Sequence, residues 1–331
     1  MLKLNTLSGF GSGVSAAGGV AAVKGYFSGG PTITVNTDKC EKLTFATSVM
    51  VANSDGDLSR TPEGPFGASD STLYGYTVAG YIEGVGAGTE SDRMTYATDT
   101  AAADTDSDYT HTVSTGGTLN DGGTAYSYGV GGSSGGKTDD CIRLTHSSGT
   151  WATHTDGDLP YSVSSLCGCA LSDAVNGVGS AIYGYITGGL INPKVDTSIR
   201  FTFSTSSSAL HTDSDFASGD IRDNTGGYCG PLAGYQTCGS STVSTTDKIT
   251  WATGVSSTST DMDAVDGVRY NPDGIGDNVT YGYVTGGYQP AAYKTETERM
   301  TYSTETLALH TDADLQVVGK GSGSTFSLGG V

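Results

Sequence analysis

The feature that most constrains the fold of this chain is a motif that recurs about every 50 residues. The motif is a small residue, an aromatic residue, two variable residues and a glycine pair whose second Gly is always present. Its seven copies lie at Gly25–Gly30, Gly75–Gly80, Ser127–Gly132, Gly184–Gly189, Gly234–Gly239, Gly282–Gly287 and Thr325–Gly330. Successive copies start 50, 52, 57, 50, 48 and 43 residues apart. A period of this size is typical of arrays and propellers, in which each repeat is one supersecondary unit.

A second and a third motif follow each of the first six copies. The second is a basic residue, an apolar residue and Thr, and it begins at Lys42, Arg93, Arg143, Arg200, Lys248 and Arg299. Its alternation of apolar and polar residues indicates a half-buried strand. The third is an Asp-x-Asp at Asp55/Asp57, Asp106/Asp108, Asp156/Asp158, Asp213/Asp215, Asp261/Asp263 and Asp312/Asp314. Each unit therefore offers about four short strands, which is the content of one propeller blade.

These units predict an all-β fold, a seven-bladed β-propeller that forms a single domain over residues 1–331. Only six units are complete, so we expect the seventh blade to be assembled from both chain ends. In that blade Lys3–Thr6 would pair with Thr325–Gly330, and the ring would have no free strand edge. The alternative count is six blades plus a spare strand.

Composition excludes several classes of function. The 16 basic against 35 acidic residues give a net charge of −19, which argues against binding to nucleic acid or to an anionic membrane surface. No apolar run is long enough to predict insertion in a membrane. The first residues, MLKLNTLSGF, contain no apolar core of a secretory signal, so we expect synthesis in the cytoplasm.

The histidines predict structure rather than catalysis. Three of the five, His154, His211 and His310, occupy the same place in a His-Thr-Asp-x-Asp phrase. A catalytic centre needs different residues at one place, whereas copies of one residue around a ring lie far apart. We therefore expect no enzymatic activity, no catalytic residues, no cofactor and no cofactor-binding residues.

The sequence predicts no metal site, although the Asp-x-Asp motif leaves two interpretations. Asp often stabilises a turn by accepting hydrogen bonds from nearby backbone, and this is the interpretation that we favour. The alternative is a calcium site, but the Glu that completes an EF-hand loop is missing. The six cysteines form no Cys-x-x-Cys pair of the kind that binds zinc. The basic residues of the second motif are expected to pair with acidic side chains on a neighbouring strand.

With these motifs described, the unit resembles a degenerate kelch-type propeller repeat, which also carries a glycine pair at the end of one strand and a Tyr in the next. The GY..GG phrases and TYSTET at Thr301–Thr306 look like repeats in structural proteins of marine bacteriophages. The resemblance implies a non-enzymatic virion protein, a tail, fibre or capsid-surface component that acts in assembly or host attachment. It implies as partners other virion proteins or host-surface glycans, with a homo-oligomer possible. The alternative is a glycan-binding lectin.

Two segments depart from the period, Ser162–Ser180 and Asp261–Asn278. Because loops that differ between repeats carry individual specificity, we expect the partner to contact one of them.

Overall fold

In the computed structural model, the described residues are 23–31, 35–70, 72–121, 125–133, 135–164, 170–172, 182–190, 196–218, 222–223, 225–239, 243–264, 267–289, 292–316 and 324–328. They contain six four-stranded antiparallel sheets and two short two-stranded sheets. The four-stranded sheets are called here blades one to six in chain order. The four strands of each blade are called A, the innermost, to D, the outermost.

The strand bounds repeat around the ring. In blades one to six, strand A is Ser324–Leu328, Phe66–Ser69, Gly117–Asn120, Ala170–Ser172, Gly226–Cys229 and Asp273–Gly276. Strand B is Lys24–Ser28, Tyr74–Val78, Tyr126–Val130, Tyr183–Thr187, Ala233–Thr237 and Tyr281–Thr285. Strand C is Cys40–Thr44, Ser91–Thr95, Cys141–Thr145, Ser198–Thr202, Thr246–Thr250 and Thr297–Thr301. Strand D is Val49–Ala52, Thr100–Ala103, Thr150–Thr153, Ser207–Leu210, Val255–Thr258 and Thr306–Leu309.

Short elements complete the blades. A single 3₁₀ turn follows each strand D, at Ser54–Gly56, Thr105–Ser107, Thr155–Gly157, Thr212–Ser214, Thr260–Met262 and Thr311–Ala313. The two-stranded sheets are hairpins between strands B and C of blades two and six. Their strands are Tyr81–Ile82 with Gly86–Ala87, and Tyr288–Gln289 with Ala292–Tyr293.

The first two motifs form the two middle strands of each blade. The Gly-Gly motif contains strand B, and the basic motif lies on strand C, with the basic side chain half-buried between buried neighbours. The small residue of the first motif has a steric reason. A Cβ added to Gly184 in blade four would lie 2.9 Å from Leu119 of the neighbouring blade three and 3.1 Å from the ring of Phe203. A Cβ at these distances would force Leu119 or Phe203 to shift, so the close packing on strand B favours Gly at position 184.

The six strands A contact one another in sequence, and strand A of blade six also contacts strand A of blade one. The all-β propeller that the sequence predicted is therefore confirmed. The described residues form six blades, however, instead of the predicted seven. Strand Ser324–Leu328, which we assigned to a seventh blade, pairs with strand B of blade one, Lys24–Ser28. The other strand predicted for that blade, Lys3–Thr6, lies outside the described residues.

The seventh motif copy was misassigned because strand A resembles strand B in sequence. Phe326 pairs in register with Tyr26. Leu119 has the same relation to Tyr128, and Ile275 to Tyr283. Phe326 thus corresponds to the apolar residue of strand A, and the phrase TFSLGG matches the motif of strand B only in its letters. The chain closes its ring by supplying strand A of the first blade from the C-terminal end.

The core lies between blades rather than within them. One cluster joins Leu119 and Tyr128 of blade three to Ile199 and Phe201 of blade four. Burial of apolar area is the main favourable term in folding. Each blade therefore depends on its neighbours for stability, as expected for a repeat that cannot bury its own apolar face.

Candidate functional site

The second Asp of every Asp-x-Asp motif has a structural role. In each blade its Oδ1 accepts a hydrogen bond from the first backbone N–H of strand C. The donor–acceptor pairs are Cys40–Asp57, Ser91–Asp108, Cys141–Asp158, Ser198–Asp215, Thr246–Asp263 and Thr297–Asp314, at 2.6–3.2 Å. The motif thus fixes the 3₁₀ turn against its own blade. Among the described residues, no three His, Cys, Asp or Glu side chains are grouped as metal ligands.

Two of the repeated histidines join neighbouring blades. Nε2 of His154 lies 3.2 Å from the carbonyl oxygen of Ser206, and Nε2 of His310 lies 3.1 Å from that of Ser48. Each contact runs from the start of a 3₁₀ turn to the turn between strands C and D of the next blade. The third, His211, has its Nδ1 3.2 Å from Ser214 Oγ in its own 3₁₀ turn. Burial lowers the pKa of His211, which favours the neutral imidazole.

The strand B tyrosines reach the same turns. The hydroxyl of Tyr128 lies 3.0 Å from Ser206 Oγ, and that of Tyr283 lies 2.7 Å from Ser48 Oγ. Ser206 and Ser48 are the fourth residues of their turns, with φ of 50° and 55°, in the left-handed region. The repeated aromatic residue therefore connects each of these blades to the next through a strained turn position.

The basic residues of strand C divide into two groups. The two lysines pair with an acidic residue in the C–D turn of the next blade. Lys42 Nζ is 2.9 Å from Asp99, and Lys248 Nζ is 2.9 Å from Glu305. This agrees with the predicted acidic partner but places it on the adjacent blade instead of the adjacent strand.

The four arginines pack on tyrosine rings. Each guanidinium lies 4.3–4.8 Å from the centroid of the Tyr that begins strand B of its own blade. The pairs are Arg93–Tyr74, Arg143–Tyr126, Arg200–Tyr183 and Arg299–Tyr281. The predicted acidic partner is present for Arg93, whose Nη1 lies 3.0 Å from Asp104 Oδ2, directly after strand D of the same blade. The ring contacts of the four arginines were not predicted. These contacts form because the delocalised guanidinium stacks on an aromatic face, which an ammonium does less well.

The repeated residues thus have structural roles. A binding site specific to this protein is therefore expected among residues that depart from the repeat. The clearest exceptions are the hairpins of blades two and six. Each begins with the residue after the glycine pair, which is Tyr81 in one and Tyr288 in the other. Tyr81 is 42% exposed and Tyr288 is 39% exposed, although large aromatic residues are usually buried in this chain. Val85, at the tip of the first hairpin, is 75% exposed.

Further tyrosines surround the blade-six hairpin. The ring centroid of Tyr288 lies 6.3 Å from that of Tyr270 and 5.2 Å from that of Tyr293. Burial raises the pKa of Tyr293, and the negative charge of Glu63 raises it further. The backbone of Glu63 is bridged to that of Tyr81 in the blade-two hairpin, and its charge acts on Tyr293 in the blade-six hairpin. We call Tyr81, Tyr270, Tyr288 and Tyr293 the tyrosine face.

The two irregular segments have different outcomes. Of Ser162–Ser180, residues 165–169 and 173–180 lie outside the described residues. Asp261–Asn278 is mainly structural: Asp263 caps strand C, Arg269 is buried and Asp277 accepts hydrogen bonds from three successive backbone N–H groups. This segment nevertheless supplies Tyr270 to the tyrosine face.

Sequence reasoning missed the hairpin tyrosines, although a signal was present. A Tyr follows the final Gly of the first motif in two copies only, at Tyr81 and Tyr288.

No helix in the described part of the chain is long and apolar enough to cross a membrane.

Comparisons with known proteins address the fold. No family model matches the chain, and no curated protein matches it. Among solved structures, one titled "Structure of YjhT" is similar with a TM-score of 0.65 and 10% sequence identity. The similarity covers 88% of this chain and 97% of that one. At this identity the likeness shows the fold alone: the chain is a β-propeller.

Proposed function

We propose that this protein is a non-enzymatic attachment module on the surface of a bacteriophage particle, in a tail, fibre or capsid-surface position, and that it binds host-surface glycans through the tyrosine face. The observation that carries the proposal is the exposure of Tyr81 and Tyr288 on the two hairpins that depart from the repeat. The position in a particle rests on the sequence resemblance described above.

The chemistry of the tyrosine face suits a sugar. One face of a pyranose ring presents C–H groups that pack on an aromatic ring, while its hydroxyls need hydrogen-bond partners at the edge. Tyr provides both an apolar ring and a hydroxyl, and it loses little conformational entropy on binding. Glu63, which is exposed, adds a carboxylate that accepts hydrogen bonds from sugar hydroxyls.

The test replaces Tyr81 and Tyr288 with Ser, singly and together, in the full chain. We expect a melting temperature close to that of the parent, since both side chains are substantially exposed, and a loss of binding to a glycan array or to host cells. The matched control is Leu232→Ser, an exposed apolar residue at the opposite end of strand B in blade five. Binding that survives the double Tyr variant would refute the role of the tyrosine face.

A second candidate is a lectin that acts away from any particle, and the same tyrosine cluster favours it. Mass spectrometry of purified particles distinguishes the two. Presence of the chain at a fixed copy number supports the virion position, and its absence supports a free lectin. Turnover of a saccharide by the purified protein would contradict both.

A further inference from the structure

Three junctions between blades hold a largely buried arginine with similar hydrogen-bond partners. Arg60 lies between blades one and two, Arg222 between four and five, and Arg269 between five and six. Arg222 and Arg269 are fully buried. Each guanidinium donates to two backbone carbonyls of the following blade. One carbonyl belongs to the residue that stands first in the glycine pair of the repeat. The other carbonyl belongs to the residue directly before strand C.

The contacts of the two fully buried arginines are closely similar. Nη1 of Arg222 lies 3.3 Å from the carbonyl of Cys238 and 2.7 Å from that of Thr245. Nη1 of Arg269 lies 3.5 Å from the carbonyl of Gly286 and 2.8 Å from that of Glu296.

Arg60 reaches the corresponding carbonyls, of Ala79 at 2.6 Å and of Glu90. In all three junctions the guanidinium also pairs with an acidic second residue of strand C, which is Asp92, Asp247 or Glu298.

Between blades two and three the corresponding place is a cavity of about 290 Å³. In blade three, the first residue of the glycine pair is Gly131, the residue before strand C is Asp140 and the second residue of strand C is Ile142. All three line the cavity. His111 also lines it, at the loop position that Arg60 holds one blade earlier. Between blades three and four that loop position is Tyr161, whose hydroxyl lies 3.1 Å from Thr197 Oγ1.

The cavity also has an aromatic ring at the position where one packs on Arg222. In the junction between blades four and five, the guanidinium of Arg222 lies 4.2 Å from the ring centroid of Phe216. Phe216 directly follows the second Asp of its Asp-x-Asp motif, and Tyr109 directly follows Asp108. Tyr109 lines the cavity. The cavity therefore has the ring position and the two carbonyl positions that surround Arg222.

The charges of the cavity differ from those of the filled junctions. Ile142 stands where the others have a carboxylate, so no buried negative charge is left without a partner when the cavity is empty. Asp140, whose carboxylate accepts a hydrogen bond from Thr138, lines the cavity instead. Lys137 also lines it, beside the exposed Gly135 and Gly136.

We infer that this cavity binds the guanidinium group of an arginine supplied from outside the chain, in the place that Arg60, Arg222 and Arg269 fill at other junctions. The ring of Tyr109 and the carbonyls of Gly131 and Asp140 receive the guanidinium, and the carboxylate of Asp140 supplies the counter-charge. The arginine is either the free amino acid, whose carboxylate meets Lys137, or a side chain of a partner polypeptide.

The experiment is a calorimetric titration of the full chain with L-arginine and with Nα-acetyl-L-arginine amide, with the corresponding lysine compounds as controls. We expect millimolar binding of an arginine compound and at least tenfold weaker binding of lysine, whose ammonium lacks the planar fork of donors. If both arginine compounds bind, the arginine side chain is sufficient for recognition by the cavity. Binding of the free amino acid alone identifies arginine itself as the ligand. Failure of both to bind overturns the inference.

Two variants place the binding in the cavity. His111→Arg supplies an internal guanidinium and should abolish the titration signal. Gly136→Phe should block the same space, and it is compatible with the fold because a Cβ there meets nothing within 4 Å. Tyr81→Ser should leave arginine binding unchanged, so failure of the glycan proposal and failure of this one are distinguishable. Arginine binding that is unaltered in both cavity variants would place it elsewhere and overturn the inference.

Discussion

The hydroxyl of Tyr26 in blade one donates a 2.6 Å hydrogen bond to the carboxylate of Asp99 in blade two. The same carboxylate accepts from Lys24 at 2.8 Å and from Lys42 at 2.9 Å. Burial alone would raise the pKa of Asp99, but these three donors outweigh it and hold the pKa at about 2. One turn residue thus joins two strands of one blade to the next.

Replacing Asp99 with Asn should destabilise the propeller by about 2 kcal/mol, the usual loss for hydrogen bonds to a charged group. Asn tolerates the φ of 56° at this position, so the variant removes the charge without adding backbone strain. The measurement is urea unfolding near neutral pH. The control is Asp106→Asn, which alters an exposed carboxylate of the same blade. Equal stability of the two variants would contradict the prediction.

Acid should weaken the same junction. The pKa of Asp99 is about 2 in the folded protein against an ordinary value of 3.8, so its contribution is present above pH 3.8 and complete at about one pH unit higher. That contribution is lost as the pH falls from about 5 to 2, because in this range the unfolded state binds a proton that the folded state does not. Melting temperatures recorded through this range should converge for the parent and Asp99→Asn. A difference that stays constant down to pH 2 would exclude this carboxylate as the cause.

The two aspartates of one Asp-x-Asp motif should respond differently to substitution. Asp158→Ala removes the acceptor for the buried N–H of Cys141, at 2.8 Å, and should cost about 1–3 kcal/mol. Asp156→Ala removes an exposed side chain and should change stability by less than about 0.5 kcal/mol. Chemical denaturation of the pair of variants gives both values. A larger loss in Asp156→Ala would indicate that the first Asp has a ligand.

Calcium gives an independent check on that motif. An ion bound only to the folded state at ~100-fold excess over its Kd stabilises by about 2.7 kcal/mol. Because the second Asp of each motif is already used by the backbone, we expect no shift in melting temperature beyond that of matched ionic strength. A rise specific to millimolar Ca²⁺ would show that the motif binds the ion.

The buried pair of Arg269 and Glu298 should be replaceable only as a unit. Arg269→Val leaves Glu298 buried without its guanidinium and should cost about 3–5 kcal/mol. The double variant with Glu298→Ile recreates the Val163–Ile199 arrangement that the chain itself uses between blades three and four, and most of the loss should be recovered. A double-mutant cycle by urea unfolding measures the coupling. Additive losses would mean that the two side chains do not act together.

The two ends of the chain should differ in how much their deletion destabilises the closed ring. Deleting residues 324–331 removes strand A of blade one and exposes the edge of Lys24–Ser28, so we expect insoluble or strongly destabilised protein. Deleting residues 1–8 leaves that sheet complete and should preserve the melting transition. Equal damage from both deletions would instead support the two-ended closure that the sequence first suggested.

The sequence by itself determined the repeat, the strand content, the burial pattern of the periodic strands and the role of the Asp-x-Asp turns. The alternation in Lys42–Thr47 and its equivalents fixes which side chains are buried, and this is local information. The Asp-x-Asp turns are equally local, because donor and acceptor lie 17 residues apart in every blade. For these features, a short stretch of chain contains all the interacting groups.

The blade count and the candidate sites depended on contacts between distant parts of the chain. Phe326 is strand A because it pairs with Tyr26, about 300 residues earlier, and its local sequence fits strand B equally well. The cavity beside His111 is lined by residues of blades two and three together, and the tyrosine face combines residues of hairpins in blades two and six with Tyr270. Such relationships depend on how six blades close into a ring, and no single repeat contains the interacting groups that decide it.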